Sequence, residues 1–275
     1  MATIFVTYAD REFREAAVRL RRCARKMGLF DRVCVYTPKQ LPDYILSSPL
    51  FRYSRGGGYW CWKPYILQDA LSKCETGDVV YYADSGCVLN PEAEEWRRWA
   101  EEMQTHDAIF FQYRKDYHYA LWDKYCADEK NNNACILHWT KPLAAQWLTD
   151  YIGDEKWLED SKIWGGACIL KKVPSFELID EWLRVTIAHP EIIMDPQPEE
   201  GTSFPNTFNE HRHDQVILTA LVHKYIEENN ILVLPETSES QKDSAAIRAE
   251  RYRTGRMGWR ETIKYYLYLI LHPDF

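Results

Sequence analysis

The chain has 275 residues, enough for one large α/β domain with or without a small appendage. Apolar residues make up 46% of it, which supports a sizeable core. The net charge of −7 argues against a general nucleic-acid binder, which neutralises phosphates with clustered Lys and Arg, so no nucleic-acid partner is expected.

The eight cysteines form no C-x-x-C pair and lie mostly in apolar runs, so they read as reduced, buried thiols of an intracellular protein. The N-terminus has no basic stretch ahead of a short apolar run, unlike a secretory leader. No window approaches the roughly 20 apolar residues that span a bilayer. A cytoplasmic protein, soluble or peripheral to a membrane, is expected.

Residues 3–8 read as a buried strand, followed by a helix with an apolar stripe at Ala16, Val18, Leu20, Ala24 and Met27 that Gly28 ends. A second strand at 32–36 completes a β-α-β opening that predicts a parallel sheet. Pro64 fits the first turn of a helix reaching about residue 74. The run 79–83 is a strong third strand that delivers Asp84-Ser85-Gly86 to its carboxyl end. Beyond it the pattern predicts a helix at 91–105, a strand at 108–113, and a loop-rich stretch at 114–133. A short strand follows at 134–138, then a helix at 142–151, a glycine-led strand at 165–170 and a helix at 174–189. The proline-rich stretch 195–209 is a loop, 214–228 a helix and 231–234 a last strand. No repeat or low-complexity segment interrupts this, so residues 1–240 read as one domain.

In open α/β sheets, ligands bind beyond the carboxyl ends of the strands, where Asp84 stands. Lys63 sits at a helix start, where free N–H groups and the helix dipole favour anions. Tyr59, Trp60 and Trp62 surround it with rings suited to stacking on a base or sugar, and Gly56-Gly57-Gly58 permits close backbone approach.

The run from Gly58-Tyr59-Trp60-x-Trp62-Lys63-Pro64 to Gly77-Asp78-x-Val80-x-Tyr82-x-Asp84-x-Gly86 resembles GT-A glycosyltransferases, above all bacterial and viral capsule or surface-glycan enzymes. Trp164-Gly165-Gly166-Ala167-Cys168-Ile169-Leu170 is similar to the strand that lines their donor-sugar and acceptor cleft. His211-Arg212-His213-Asp214-Gln215-Val216-Ile217-Leu218 is similar to their late H-x-x-D-Q-x-x-L helix start. The resemblance implies an α/β, Rossmann-like domain with a mostly parallel central sheet flanked by helices. It also implies hexosyl transfer from a nucleotide-diphosphate sugar, UDP-linked by preference, to a hydroxyl of a glycan or lipid-linked glycan in polysaccharide biosynthesis. Donor-side residues are then Thr7, Tyr8, Tyr59, Trp62, Lys63, Asp84, Ser85 and Gly86. Asp160, Trp164, Gly165 and Gly166 fall to the sugar and acceptor cleft, and Asp214 to the catalytic base.

The pattern departs from the family at Gly86, which stands where the second Asp of the D-x-D motif would be. Either a divalent ion, Mn²⁺ or Mg²⁺, is held by Asp84 with His211, His213 or Asp214, or Lys63 and arginines neutralise the diphosphate alone. Metal binding by Asp84 and His213 is the expectation.

Past about residue 240, Arg248, Arg251, Arg253, Arg256, Arg260 and Lys264 lead into an aromatic-aliphatic run at 265–271. Residues 241–275 therefore read as a basic amphipathic segment able to meet an anionic membrane surface. A nucleotidyltransferase is disfavoured, because Thr7-Tyr8-Ala9-Asp10-Arg11 after the first strand is not glycine-rich. A non-catalytic carbohydrate-binding protein would not need the polar groups Asp84, Lys63 and Asp214.

Overall fold

A computed structural model describes residues 1–126, 132–200, 204–241 and 243–251, together with Ile263 and Leu267. Its strands are β1 (Thr3–Tyr8), β2 (Arg32–Tyr36), β3 (Val79–Ala83), β4 (Val88–Leu89), β5 (Ala108–Gln112), β6 (Ile163–Lys171), β7 (Ile231–Pro235) and β8 (Ile247–Arg248). Among the described residues, the helices of eight residues or more are α1 (Arg14–Met27), α2 (Trp62–Ser72), α3 (Glu95–Glu102), α4 (Pro142–Ile152), α5 (Leu178–Ala188) and α6 (His213–Tyr225).

Six strands form one sheet in the order β2-β1-β3-β6-β5-β7. The pairs β1/β2, β1/β3 and β5/β7 are parallel, and β6 alone runs against its neighbours β3 and β5. The domain is thus α/β with a mostly parallel sheet, as the alternating strands and helices predict. Buried strands in such a sheet are apolar on both faces, and all of Val79–Ala83 is buried.

The register aims the chemistry. Ala83 pairs with Ala167, and the next backbone N–H, that of Asp84, donates to Gly166 O at 2.9 Å. The first residue past β3 is thereby fixed against the glycines of β6. On the other side of β6 the ladder is irregular: Phe110 pairs with Cys168 but Gln112 pairs with Ile163. The surplus β6 residues between those pairs make a bulge, a device that re-aims side chains next to sites.

Helix α2 packs on β1, β3 and α5, while α6 packs on β6, α4 and α5. Most of α6 is buried, which explains why its sequence carries no polar stripe. The aromatic wealth serves the core as much as the site: Trp139, Trp157, Trp182, Tyr82, Phe5 and Phe110 are fully enclosed. All eight cysteines are unpaired.

Several expected elements shift. Residues 134–138 are not a strand; Cys135 makes one isolated bridge to Ser161, and Ile136–Trp139 is a 3₁₀ turn. Both Ile136 and Trp139 are buried, and their i,i+3 spacing satisfies a turn as well as a strand. The helix expected at 91–105 starts only at Glu95, because Asn90 Oδ1 accepts from Glu92 N in a turn. The helix expected at 174–189 starts only at Leu178 and ends at Ala188. A separate turn, Pro190–Ile193, follows it, since Pro190 cannot continue α5's hydrogen bonding.

Residues 245–248 are built into the domain, whereas Ile263 and Leu267 are exposed. Ala245, Ala246 and Ile247 are buried, β8 pairs with β4, and Ala246 N donates to Glu95 Oε2 at 2.5 Å. Arg253, Arg256, Arg260, Lys264 and the run 265–271, apart from Leu267, lie outside the described residues. Among the described residues no helix is long and apolar enough to cross a membrane.

Candidate active site

Asp84 leaves β3 into a turn closed by Cys87 N donating to Asp84 O at 2.9 Å. Its carboxylate accepts from Tyr82 Oη, and its side chain keeps 36% exposure toward a cavity of about 610 Å³. Ser85 and Gly86 line the same cavity.

Lys63 comes from the first turn of α2, where Pro64 replaces an N–H that would have no helical partner. Its ammonium is buried and donates to Gly165 O and to Asp214 Oδ2, both at 2.8 Å, with Asp84 Oδ1 at 3.5 Å. Burial alone would lower the Lys63 pKa, but Asp214 and Asp84 outweigh it and hold the amine charged. Burial pushes the Asp214 carboxyl up, against the pull of Lys63. Lys63, expected on the donor side, lines the cavity with its ammonium donating to these two protein oxygens, Gly165 O and Asp214 Oδ2.

Gly165 suits that arrangement: a Cβ there would stand 3.2 Å from Asp214 Oδ2, a tight contact, and 3.5 Å from Lys63 Nζ. At Gly166 a Cβ would enter the Trp164 ring at 2.3 Å, so Trp164 folds over the β6 backbone along the cavity wall.

The opposite wall is an unusual loop. Gly56, Gly57, Gly58, Tyr59 and Trp60 all take positive φ, at 58°, 58°, 94°, 55° and 59°. Three glycines make this tolerable; the two aromatic residues pay for it with packing. Trp62 Nε1 donates to Gly56 O at 3.0 Å, and its ring stacks on Tyr8 with centroids 3.8 Å apart. Tyr8 and Trp62 line the cavity as expected. Thr7 does not: it is fully buried on the other face of β1, as strand alternation dictates. Tyr59 lies behind the wall, its Oη donating to Asp195 Oδ2 at 2.8 Å and its ring 4.9 Å from that of His213.

His213 has its Nδ1–H donated to Ile193 O at 2.8 Å, which fixes the proton there. Nε2 has no hydrogen-bond partner and lies 3.7 Å from Asp195 Oδ1. Burial lowers the His213 pKa to about 4, so the ring is neutral at pH 7. His211 is wholly enclosed, bonded to Ile192 O and Lys141 N, and does not line the cavity. Asp160 also stands apart, accepting from His223 Nδ1 at 2.7 Å. Its place before β6 turns the side chain to α6.

The described residues hold no cluster of three metal-capable side chains. Asp84, partly open, and His213, whose buried Nε2 has no hydrogen-bond partner, both line the cavity, as do the carboxylates Asp10, Glu12, Asp214 and Glu239. An ion held by the Asp84 carboxylate would keep most of its positions for phosphate oxygens and water.

Sequence reasoning missed the far half of the cavity, where Tyr113, Trp122, Tyr125, Lys162, Arg212 and Arg251 converge. Aromatic density at 113–125 was the available signal, and it read as loop.

No protein-family model and no curated protein matches the chain. Among solved structures, it is similar to a glycosyltransferase involved in glycosylation of the major capsid of PBCV-1, at 10% identity and a TM-score of 0.44, covering 97% of this chain and 100% of that one. It is similar to mouse xyloside xylosyltransferase 1 at 9% identity and a TM-score of 0.41, covering 86% of each chain. It is also similar to core-mannan synthase A from Aspergillus fumigatus in its Mn/GDP form, at 12% identity and a TM-score of 0.40, over 85% of this chain and 72% of that one.

Proposed function

We propose that the chain is a glycosyltransferase that moves a hexosyl group from a nucleotide-diphosphate sugar, UDP-linked by preference, to a hydroxyl of a glycan. The observation that carries this reading is the convergence of Asp84, Lys63 and Asp214 at the strand ends, on the floor of one aromatic-walled cavity. Tyr8 and Trp62 give the base or sugar a ring-lined wall, and Gly56 and Gly57 let the backbone approach the ligand closely.

Asp214 is the proposed proton acceptor for the attacking hydroxyl. Lys63 holds its Oδ2, which orients the carboxylate and favours its ionised form against the opposing effect of burial. Asp84 and His213 are the proposed holders of a divalent ion, which when bound neutralises charge on a departing diphosphate. Trp164, Gly165 and Gly166 border the sugar between the two ends. The basic and aromatic residues beyond 251 are read from sequence alone as a peripheral contact with a cytoplasmic membrane face bearing a lipid-linked acceptor.

Release of nucleoside diphosphate from a panel of nucleotide sugars, with Mn²⁺, Mg²⁺ or EDTA, tests the reading. Turnover of at least one sugar nucleotide is expected. A protein that binds and turns over none of them is not a glycosyltransferase of this kind.

A further inference from the structure

The cavity extends well past the Asp84 corner, across β6 toward β5. Two strand spacings separate β3 from β5, so its far half lies about 10 Å from the carboxyl end of β3. That half is lined by four basic side chains, Lys124, Lys162, Arg212 and Arg251, and one carboxylate, Glu239, among the described lining residues, while Glu210 pairs with Arg212.

Lys162 is the feature the proposed chemistry leaves unexplained. It is 1% exposed, and its Nζ has no hydrogen-bond partner. It lies between the Trp122 and Trp139 rings, 3.3 and 3.4 Å from their centroids. Ring faces favour the charge but accept none of its N–H groups in full, and burial beside the Arg212 guanidinium pushes its pKa well down. Arg212 stacks over Tyr125, its carbon 4.7 Å from the ring centroid, with Nη2 3.2 Å from Glu210 Oε2 and a buried Nε that has no partner. Arg251 at the rim pairs with Glu239 at 2.9 Å. The unsatisfied donors of Lys162 and Arg212 meet in one place, beside the aromatic faces of Trp122 and Tyr125.

We infer that this half of the cavity recognises an anionic substituent, a carboxylate or a phosphate, on the glycan acceptor, through Lys162, Arg212 and Arg251. The inference rests on the glycosyltransferase reading and names the acceptor class. The sugar ring bearing the anion packs on Trp122 and Tyr125, and the anion takes up the idle donors of Lys162 and Arg212. The donor diphosphate, held at the Asp84 corner, leaves this half open.

Calorimetric titration tests it with four probes: methyl glucuronoside, its uncharged amide, methyl glucoside 6-phosphate and methyl glucoside, with UDP titrated in parallel. At least one acid should bind about tenfold or more tighter than its uncharged counterpart, as expected for charge-assisted hydrogen bonds. The acid that wins distinguishes a uronate from a phosphorylated glycan.

Lys162→Met and Arg212→Gln should each reduce the preference to about twofold or less, with UDP affinity unchanged. Lys162→Met also removes a buried amine that has no hydrogen-bond partner, so it should fold at least as well as the parent. Arg251→Gln, at the exposed rim, gives a second reading with little structural consequence. Equal binding of acids and neutral counterparts, or displacement of the bound acid by UDP, overturns the inference. UDP binding with no acid preference sinks this inference alone, whereas acid preference without UDP binding sinks the donor reading alone.

Discussion

The Lys63 ammonium sits 2.8 Å from Asp214 Oδ2, joining the first turns of α2 and α6 across 151 residues of sequence. Both side chains are almost fully enclosed. The pair clamps the two helices onto the glycines of β6 and sets the spacing of the carboxylates on the cavity floor.

Such a pair is destabilising to break, because the surviving charge stays buried without compensation. Lys63→Met should lower the unfolding free energy by about 3–5 kcal/mol. The double variant Lys63→Met with Asp214→Asn removes both charges and should recover most of that loss in urea denaturation. Equal stability of Lys63→Met and the parent would show that the contact does not hold the helices.

Asp84 differs from its partner Asp214 in being partly open to the cavity. Asp84→Asn keeps the side-chain shape but removes one of the two charges beside buried Lys63, so it should lower stability by about 1 kcal/mol, well short of unfolding the protein. Diphosphate release should nevertheless fall by about 100-fold or more, the scale of losing one electrostatic group at a reacting centre. Retained turnover in Asp84→Asn removes the residue from the site.

Acid stability reports on His213. Burial lowers its pKa to about 4 from 6.5 in the unfolded chain, so between those values the unfolded state binds more protons. The stabilising contribution is present above pH 6.5 and is lost as pH falls toward 4, a loss of about 3 kcal/mol. His211, also lowered by burial, acts in the same direction. His213→Asn, which tolerates the positive φ at this position, should show a smaller stability loss between pH 7 and pH 4 than the parent, by about 3 kcal/mol. Parallel pH profiles in urea unfolding would place the ring's proton elsewhere.

The glycine loop makes a steric prediction. At Gly56, φ is +58° and a Cβ would meet the Trp60 ring at 2.4 Å, whereas Gly77 has φ +93° but open space around it. Gly56→Ala should cost about 3 kcal/mol, from left-handed strain plus overpacking. Gly77→Ala should cost about 1 kcal/mol, from strain alone. Thermal unfolding of the two variants side by side separates these contributions.

The sheet and the Asp84 corner were legible because they follow from local rules. Val79–Ala83 is an uninterrupted apolar run, and a buried strand must deliver its next polar residue to the edge. Lys63 before Pro64 marks a helix start in any context, and the glycines of Trp164-Gly165-Gly166 signal close backbone approach. What escaped is tertiary. Asp160 lies four residues before Trp164, yet its side chain turns away to His223. Thr7 and Tyr8 are neighbours in sequence but occupy opposite faces of β1. Lys162 acquires meaning only when Trp122 and Trp139, both from turns, close around it.

A crystal structure with UDP and Mn²⁺ bound addresses the central claim most directly. The diphosphate should lie in the cavity beside Asp84, with the manganese signal against the Asp84 carboxylate and the uridine along the Tyr8 and Trp62 wall. A nucleotide seated anywhere else, or a cavity that stays empty at saturating UDP, contradicts the account.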